Sequence, residues 1–402
     1  MYTPYEHQVE CAIEGYRILK ENAIVYLAME ERTGKSLTAL LIAEMCKNVD
    51  KVLVITTRKA MGDKTTGWIE LVENYSASIE IDLCTYGTAK NKLDEYDLVI
   101  LDEAHKYISG YPKPSATWAA VKKLTTMKPL IYLSATPHAQ GYQMLYHQFK
   151  LSDWSPWKKH TNFYRWFQVY GRPKSIWIAG QEKAVYTETD EHMCHETTKH
   201  LFLSKTRKEL GFEHEPKDKI HYVELSKETK ERYNKLIKDR VLFFDDFELI
   251  CDTPTKLRYA LHMLEGGGLK EDNIYHVLNN REKVDYILQN WGDTEDMVIF
   301  FQYKVEKLKL EKIFKHASIL QSTSYAEGVD LSKYKHLIIY SQDWSTARHT
   351  QRRARQANKK RDTEIIVHFL LVENGISEQV YNTVSVNKEN FVDSVFEERE
   401  LW

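Results

Sequence analysis

The octapeptide Met29-Glu-Glu-Arg-Thr-Gly-Lys-Ser36 joins the apolar run Ala23–Ala28 to the amphipathic stretch Lys35–Cys46. This order predicts a strand, a tight loop and the start of a helix. Backbone N–H groups in such a loop and at the N-terminus of the following helix bind phosphate oxygens. The octapeptide therefore predicts a phosphate-binding loop, whose nucleotide contacts are Thr33, Gly34, Lys35 and Ser36.

Two adjacent carboxylates follow a second apolar run. Asp102-Glu-Ala-His105 comes directly after Leu98–Leu101, at the end of a predicted buried strand. Metal ligation and activation of water are separate tasks at neighbouring points, so this chemistry needs two acids. We assign Mg²⁺ ligation to Ser36 and Asp102, and activation of the attacking water to Glu103. With Lys35 at the β- and γ-phosphates, the sequence predicts hydrolysis of a nucleoside triphosphate.

Short apolar runs alternate with amphipathic stretches along the chain, which is typical of parallel sheets covered by helices. The predicted strands are Ala23–Ala28, Val52–Thr56, Ile81–Thr85, Leu98–Leu101 and Leu130–Ser134, and later Met297–Phe301, Ser318–Gln321, His336–Tyr340 and Glu364–Leu371. This pattern predicts an α/β fold with a nucleotide-binding domain at 1–150 and a second α/β domain at 216–402. The second domain carries a helical insertion at about 226–290, in which Glu228–Arg240 and Thr255–Glu265 are the clearest helices.

The segment 151–215 between these domains is rich in aromatic residues, which mix with Lys and Arg at 154–177. Exposed aromatic rings that stack on bases would suit a strand-separating element. A small packed subdomain whose tryptophans form its core is the favoured interpretation. The nearby set His192, Cys194, His195 and His200 matches no standard zinc spacing, so we interpret it as polar loop or helix.

Composition limits the partners and the compartment. The 402 residues include 56 Lys+Arg and 58 Asp+Glu, so the net charge of −2 excludes a globally basic nucleic-acid coat and leaves room for a local basic groove. Five scattered cysteines favour a reducing compartment. Neither a signal peptide nor a membrane-spanning run is visible. We therefore expect a cytoplasmic monomer without a membrane partner, in the host cytoplasm if the protein is viral.

The order of these motifs along nearly the whole chain resembles that of the DEAH-box helicases and translocases of superfamily 2, closest to the Swi/Snf-type branch. The matching segments are Pro4–Gln8, Lys35–Ser36, Val52–Lys59, Thr85–Gly87, Asp102–His105, Ser134–Pro137, Val298–Tyr303, Ser322–Leu331, Gln351–Arg355 and Val367–Val380. The resemblance implies two RecA-like domains in tandem, with helical and aromatic insertions and with ATP bound between the domains.

Roles for further residues follow from the same resemblance. It implies that Gln8 contacts the adenine and that Ser134 and Thr136 link hydrolysis to domain closure. The implied contributions of the second domain are Gln351 at the water or γ-phosphate, Arg355 as the arginine finger, and Gly328 and Asp330 at the nucleotide and the sugar-phosphate backbone. The implied nucleic-acid contacts are Arg58, Lys59, Thr85, Ser322 and Arg352, the last in a stretch with seven Lys or Arg among the residues 348–361.

The sequence departs from the pattern of this family at three positions. Met29 stands where the family has Ala or Gly, Arg32 stands where it has Gly, and Asn358 stands at the last arginine of its final motif. An alternative alignment makes Arg352 and Arg355 the spaced pair, with Arg348 in place of the glutamine. The identity of the arginine finger therefore stays open between these two alignments.

The function implied is that of an ATP-dependent DNA helicase or translocase, which couples hydrolysis of Mg²⁺-ATP to movement along single-stranded or duplex DNA. The compact chain favours a stand-alone viral or bacterial enzyme that works beside replication or repair proteins. Three alternatives stay open: a duplex translocase or remodeller without strand separation, a nucleotide-gated DNA-binding module with weak ATPase activity, and the motor subunit of a restriction or repair complex.

Overall fold

The computed structural model describes residues 3–62, 64, 67–75, 77–93, 95–138, 141–178, 181–212, 216–322, 331, 334–344 and 365–386. The chain forms two compact units, Met1–Phe212 and Glu213–Trp402. Among the described residues, no helix is both long enough and apolar enough to cross a membrane.

The first unit is built on one parallel sheet with helices around it. Its helices are α1 (Glu6–Asn22), α2 (Lys35–Glu44), α3 (Arg58–Met61), α4 (Gly67–Asn74), α5 (Ala116–Thr125), α6 (Gln143–Phe149), α7 (Phe163–Tyr170) and α8 (Glu191–Thr198). Its strands are β1 (Ile24–Met29), β2 (Lys51–Thr56), β3 (Glu80–Thr85), β4 (Leu98–Asp102), β5 (Leu130–Leu133), β6 (Lys174–Ile178), β7 (Gln181–Val185) and β8 (Phe202–Lys205). Strands β6 and β7 form a separate antiparallel hairpin.

The order of the strands in the main sheet is β3-β2-β4-β5-β1-β8, and all its pairs are parallel. The central strands β1, β4 and β5 are buried almost throughout because helices cover both faces of the sheet. Their carboxyl ends meet at one edge, where the loops that follow them carry the predicted catalytic residues. This architecture confirms the predicted α/β fold class for the first unit.

The aromatic segment contributes to the core of the first unit. Trp157 and Trp166 are both fully buried, and their ring centroids lie 5.1 Å apart. Trp166 also packs against Phe163 and Tyr146, which belong to the same buried hydrophobic cluster as side chains from one face of the main sheet. The two tryptophans are packed, as the favoured interpretation predicts, but in the core of the first unit and not in that of a separate subdomain, and their rings are not accessible to bases. Trp154 is half-exposed.

The second unit contains a smaller parallel sheet and a helical region. Its helices are α9 (Lys227–Asp239), α10 (Pro254–Glu265), α11 (Glu282–Asn290), α12 (Lys304–Ile313) and α13 (Ile376–Val386). Its strands are β9 (Pro216–Tyr222), β10 (Val241–Phe243), β11 (Glu248–Ile250), β12 (Gly268–Glu271), β13 (Ile274–Val277), β14 (Met297–Phe301), β15 (Ser318–Gln321), β16 (His336–Ile339) and β17 (Ile365–Leu371).

The main sheet of this unit has the order β15-β14-β16-β17-β9, again with every pair parallel. Two short antiparallel hairpins, β10-β11 and β12-β13, accompany the helices α9 and α10. Gly267 has a φ of +81° and makes the turn from α10 into β12. Two parallel α/β units of the RecA-like kind therefore stand in tandem along the chain.

Three histidines lie close together on the sheet of the second unit. His221 Nε2 is 3.0 Å from His368 Nδ1, and His221 Nδ1 is 3.0 Å from the hydroxyl of Tyr286. The ring of His336 lies 5.9 Å from that of His368. Burial, together with the charges of His221 and His336, lowers the pKa of His368 to about 3. Burial also lowers the pKa of His221.

This cluster predicts that acid destabilises the second unit. The unfolded chain, in which a histidine has a pKa of about 6.5, binds more protons than the folded chain between pH 6.5 and 3. Stability is therefore complete above pH 6.5 and falls as the pH is lowered toward 3. For His368 alone, the loss from pH 7 to pH 5 is about 2 kcal/mol. Hydrogen exchange of peptides from β9 and β17 at the two pH values measures it.

The exposed His316 of the same unit provides the matched control. We expect His316→Gln to keep the pH dependence of the wild type, and His368→Asn to reduce it. An equal pH dependence in the wild type and His368→Asn would contradict this origin of the acid sensitivity.

Candidate functional site

The predicted phosphate loop lies between the carboxyl end of β1 and the start of α2. Gly34 has a φ of +85° and precedes the first turn of α2, and the Thr33 hydroxyl donates to the carbonyl of Glu30 at 2.8 Å. Lys35 Nζ donates to the carbonyls of Met29 and Glu30, both at 2.9 Å. Burial lowers the pKa of Lys35, and the nearby carboxylates of Glu31 and Glu103 oppose that shift. The loop thus holds its ammonium group at the helix N-terminus, where phosphate oxygens bind.

Helix α1 packs its first turn against this loop. Gln8 is buried, its Oε1 accepts from the backbone amide of Tyr5 at 2.9 Å, and its Nε2 lies beside Gly34. A Cβ atom at Gly34 would approach that Nε2 to 1.8 Å, so the contact requires glycine. His7 Nε2 lies 3.1 Å from the carbonyl of Thr33. The structure therefore brings Gln8, the predicted adenine contact, to the phosphate loop.

Asp102 is fixed by side chains from two other elements. Its Oδ2 accepts from the hydroxyl of Thr56 at 2.7 Å and from Nε1 of Trp68 at 2.8 Å. Its backbone carbonyl accepts from the hydroxyl of Tyr86 at 2.9 Å. Burial, reinforced by the charge of Glu103, raises the pKa of Asp102 to about 6, although the two donated hydrogen bonds and Lys35 oppose the shift. The carboxylate is therefore preorganised at the end of β4.

Glu103 begins a chain of polar contacts that reaches the end of β5. Its carboxylate lies 3.0 Å from Lys106 Nζ and 3.7 Å from His105 Nε2. His105 Nδ1 is 2.9 Å from the hydroxyl of Ser134, which in turn accepts from the backbone amide of Thr136 at 3.0 Å. Burial alone would raise the pKa of Glu103, but Lys106, His105 and Lys35 outweigh it and lower that pKa. Because the Glu103 carboxylate is held in its ionised form, it can accept a proton as a general base.

The donor set fits a magnesium ion that is shared with a bound triphosphate. The two predicted ligands, the Ser36 hydroxyl and the Asp102 carboxylate, are hard oxygen donors. In the described part of the chain, no group of three or more His, Cys, Asp or Glu side chains is arranged to hold a metal by itself. Magnesium in nucleotide sites uses one or two protein oxygens, and phosphate and water supply the rest.

Three of the predicted nucleic-acid contacts lie at neighbouring strand ends of the first unit. Arg58 and Lys59 are exposed and open α3, directly after β2. Thr85 ends β3, and its Cα is paired with that of Thr56 at the end of β2. In the second unit, Ser322 is buried and follows β15.

The remaining predicted site residues lie outside the described residues. They are Gly328, Asp330, Gln351, Arg352 and Arg355, together with Asn358, which replaces the last arginine of the final motif, and Arg348 of the alternative alignment. Their roles stay predictions from the resemblance.

The structure adds residues that sequence reasoning did not assign. Thr56 and Trp68 hold Asp102, His105 links Glu103 to Ser134, and Arg207 lies beside the phosphate loop. Thr56 could have been assigned to the site from the sequence because it lies at the end of a predicted strand. His105 could have been assigned because it belongs to the Asp102–His105 motif. Trp68 and Arg207 carry no such signal because they come from segments without a motif.

The fold is that of an α/β domain, and a comparison with known families indicates its class. Residues 1–139, roughly the first third of the chain, match the family model described as the type III restriction enzyme, res subunit. This similarity supports a superfamily 2 helicase-like ATPase domain in the first unit. No curated protein matches the chain.

Proposed function

We propose that the protein is an ATP-dependent DNA helicase or translocase, a DEAH-box enzyme close to the Swi/Snf-type branch of superfamily 2. The observation that carries the proposal is the contact chain from Glu103 through His105 to Ser134. These contacts connect Glu103, the predicted catalytic base, to Ser134, which the resemblance implies in domain closure. A structural change caused by hydrolysis at the γ-phosphate could therefore be transmitted through them to the end of β5. Motor ATPases need such a link between hydrolysis and movement.

Each residue of the site has a task in this mechanism. Lys35 and the N–H groups at the start of α2 bind the phosphates, and Gln8 orients the adenine from α1. Ser36 and Asp102 would hold Mg²⁺, which when bound neutralises charge on the phosphate oxygens. Glu103 accepts the proton of the attacking water, and Lys106 and His105 keep its carboxylate ionised.

The resemblance assigns further catalytic residues to the second unit. Its five-stranded parallel sheet supports a second RecA-like domain, and the resemblance supplies Gln351, Arg355, Gly328 and Asp330 as its contributions. Arg355 would stabilise negative charge that develops in the transition state. Hydrolysis would then alternate the two units between closed and open arrangements and move the enzyme along DNA.

DNA is the proposed partner of the strand-end surface formed by Arg58, Lys59 and Thr85. The two cations are exposed at the start of α3, and Thr85 is paired with Thr56, the last residue of the strand that precedes this helix. Contacts of this kind bind backbone phosphates and do not distinguish between base sequences. An enzyme that moves along DNA requires such sequence-independent binding. Ser322 and Arg352 are the contacts that the resemblance proposes for the second unit.

The measurement that tests the proposal is ATP turnover by the purified chain, with and without DNA. We expect turnover that depends on Mg²⁺ and rises when DNA is added. Strand displacement is then compared with triplex displacement on matched substrates. No turnover under either condition would overturn the enzymatic proposal and leave the nucleotide-gated binding module.

Movement on duplex DNA without strand separation is the second candidate. The burial of Trp157 and Trp166 supports this candidate. Both belong to the aromatic stretch that was considered for stacking on separated bases, and buried rings cannot stack on bases. Triplex displacement without strand displacement would favour this candidate over a helicase.

A further inference from the structure

The phosphate loop of this chain contains two carboxylates at the place where a polyanion is expected to bind. Glu30 and Glu31 follow β1 directly, and Lys35 lies at the other end of the loop. The side chain of Glu31 is largely buried, and its charge acts on Lys35. An uncompensated carboxylate here would repel a triphosphate and compete with it for the lysine.

Arg207 supplies the compensating charge. It follows β8, whose last residue, Lys205, is paired with Met29 and accepts a hydrogen bond from the amide of Glu30 at 3.0 Å. The parallel pairing of β8 with β1 thus fixes the segment that carries Arg207 next to the loop. Arg207 is only 6% exposed, so its charge acts in a poorly solvated region.

The contacts of Arg207 involve both glutamates. Its backbone amide donates to Glu30 Oε2 at 2.7 Å, and its Nε lies 3.6 Å from the same oxygen. Its Nη1 donates to the carbonyl of Glu31 at 3.4 Å and lies 3.9 Å from Glu31 Oε2. One side chain thus contacts the backbone and the carboxylates of the loop.

We propose that Arg207 is a positioning residue of the nucleotide site, which pairs with the carboxylates of Glu30 and Glu31 and so offsets their competition with phosphate for Lys35. The inference rests on the proposed function, because it assumes that the loop binds ATP. Arg207 acts through the two glutamates. Removing it leaves the Glu31 carboxylate without this partner and free to pair with Lys35.

The dissociation constant of ATP for the full chain tests the proposal. Arg207→Met is expected to weaken ATP binding about tenfold. Glu31→Gln alone is expected to bind ATP at least as tightly as the wild type. The double variant Arg207→Met/Glu31→Gln is expected to regain most of the lost affinity, which a merely structural role for Arg207 would not produce.

Arg172→Met is the matched control, since Arg172 is an exposed arginine of the same unit that pairs with Asp190. If Arg207→Met fails to fold, Arg207→Lys takes its place, with an expected loss of about threefold that Glu31→Gln again restores. Wild-type affinity in the Arg207 variant, or a double variant as weak as the single one, overturns the inference. ATP binding by the wild type without DNA-stimulated turnover would instead count against the proposed function and leave the role of Arg207 standing.

Discussion

Glu103→Gln is expected to slow ATP hydrolysis about a thousandfold while ATP binding stays within about threefold of the wild type. Glutamine keeps the shape of the side chain and loses the basic carboxylate, which Lys106 and His105 hold ionised at 3.0 and 3.7 Å. Binding survives because the contacts of the phosphate loop come from other residues. Single-turnover hydrolysis and the equilibrium binding of ATP measure the two effects separately.

Two further variants serve as controls for this result, one that should lose ATP binding and one that should be unaffected. Lys35→Ala is expected to lose binding and hydrolysis together, because it removes the ammonium group at the start of α2. Glu73→Gln, at an exposed position of α4 in the same unit, is expected to change neither. Hydrolysis by Glu103→Gln within tenfold of the wild type would show that another group activates the water.

The central strands could be predicted from the sequence because helices cover both faces of each sheet. Strand β14 and the first four residues of β4 are therefore unbroken apolar runs. The edge strands β8 and β9 were not predicted. Phe202–Lys205 buries only part of its surface, and Pro216–Tyr222 carries three charged residues, so neither shows a continuous apolar run.

The candidate site shows the same limit at the level of side chains. The sequence was sufficient to assign Lys35, Asp102 and Glu103, because each belongs to a short local motif with a recognisable chemical role. Trp68 contacts Asp102 across 34 positions of sequence, and Arg207 contacts Glu30 across 177. Such partners depend on how strands are ordered in the sheet, and residue spacing does not encode that order. The residues that hold the catalytic side chains in place could therefore be identified only from the structure.

Buried charges also hold the helical region of the second unit to its sheet. Lys283 on α11 donates to the carbonyl of Tyr340, just after β16, at 3.0 Å. Two buried carboxylates, Glu265 and Glu306, act on this lysine and oppose the lowering of its pKa by burial. Glu306 accepts from the hydroxyl of Ser341 at 2.6 Å. The region predicted as an insertion is thus continuous with the sheet through charged contacts.

Glu265 is the member of this network whose loss should cost most. It is 1% exposed, and its Oε1 accepts from the amide of Ile376 at 2.8 Å and from the hydroxyl of Tyr233 at 3.1 Å. It thereby caps the first turn of α13, where a negative charge is favourable. Gly375 precedes that turn, and a Cβ atom there would lie 2.4 Å from Glu265 Oε1, which explains the glycine in the segment Val367–Val380.

We therefore expect Glu265→Ala to lower the free energy of unfolding of the second unit by about 3–5 kcal/mol, because Lys283 and the donors of α13 would stay buried without this carboxylate. Glu265→Gln keeps an acceptor and should lose less. Glu231→Ala, at an exposed position of α9, should lose almost nothing. Urea unfolding of the full chain, followed by hydrogen exchange in peptides of α13, measures the change. A loss below 1 kcal/mol in Glu265→Ala would mean that water replaces the carboxylate at the start of α13 and that the helix is held by its apolar face alone.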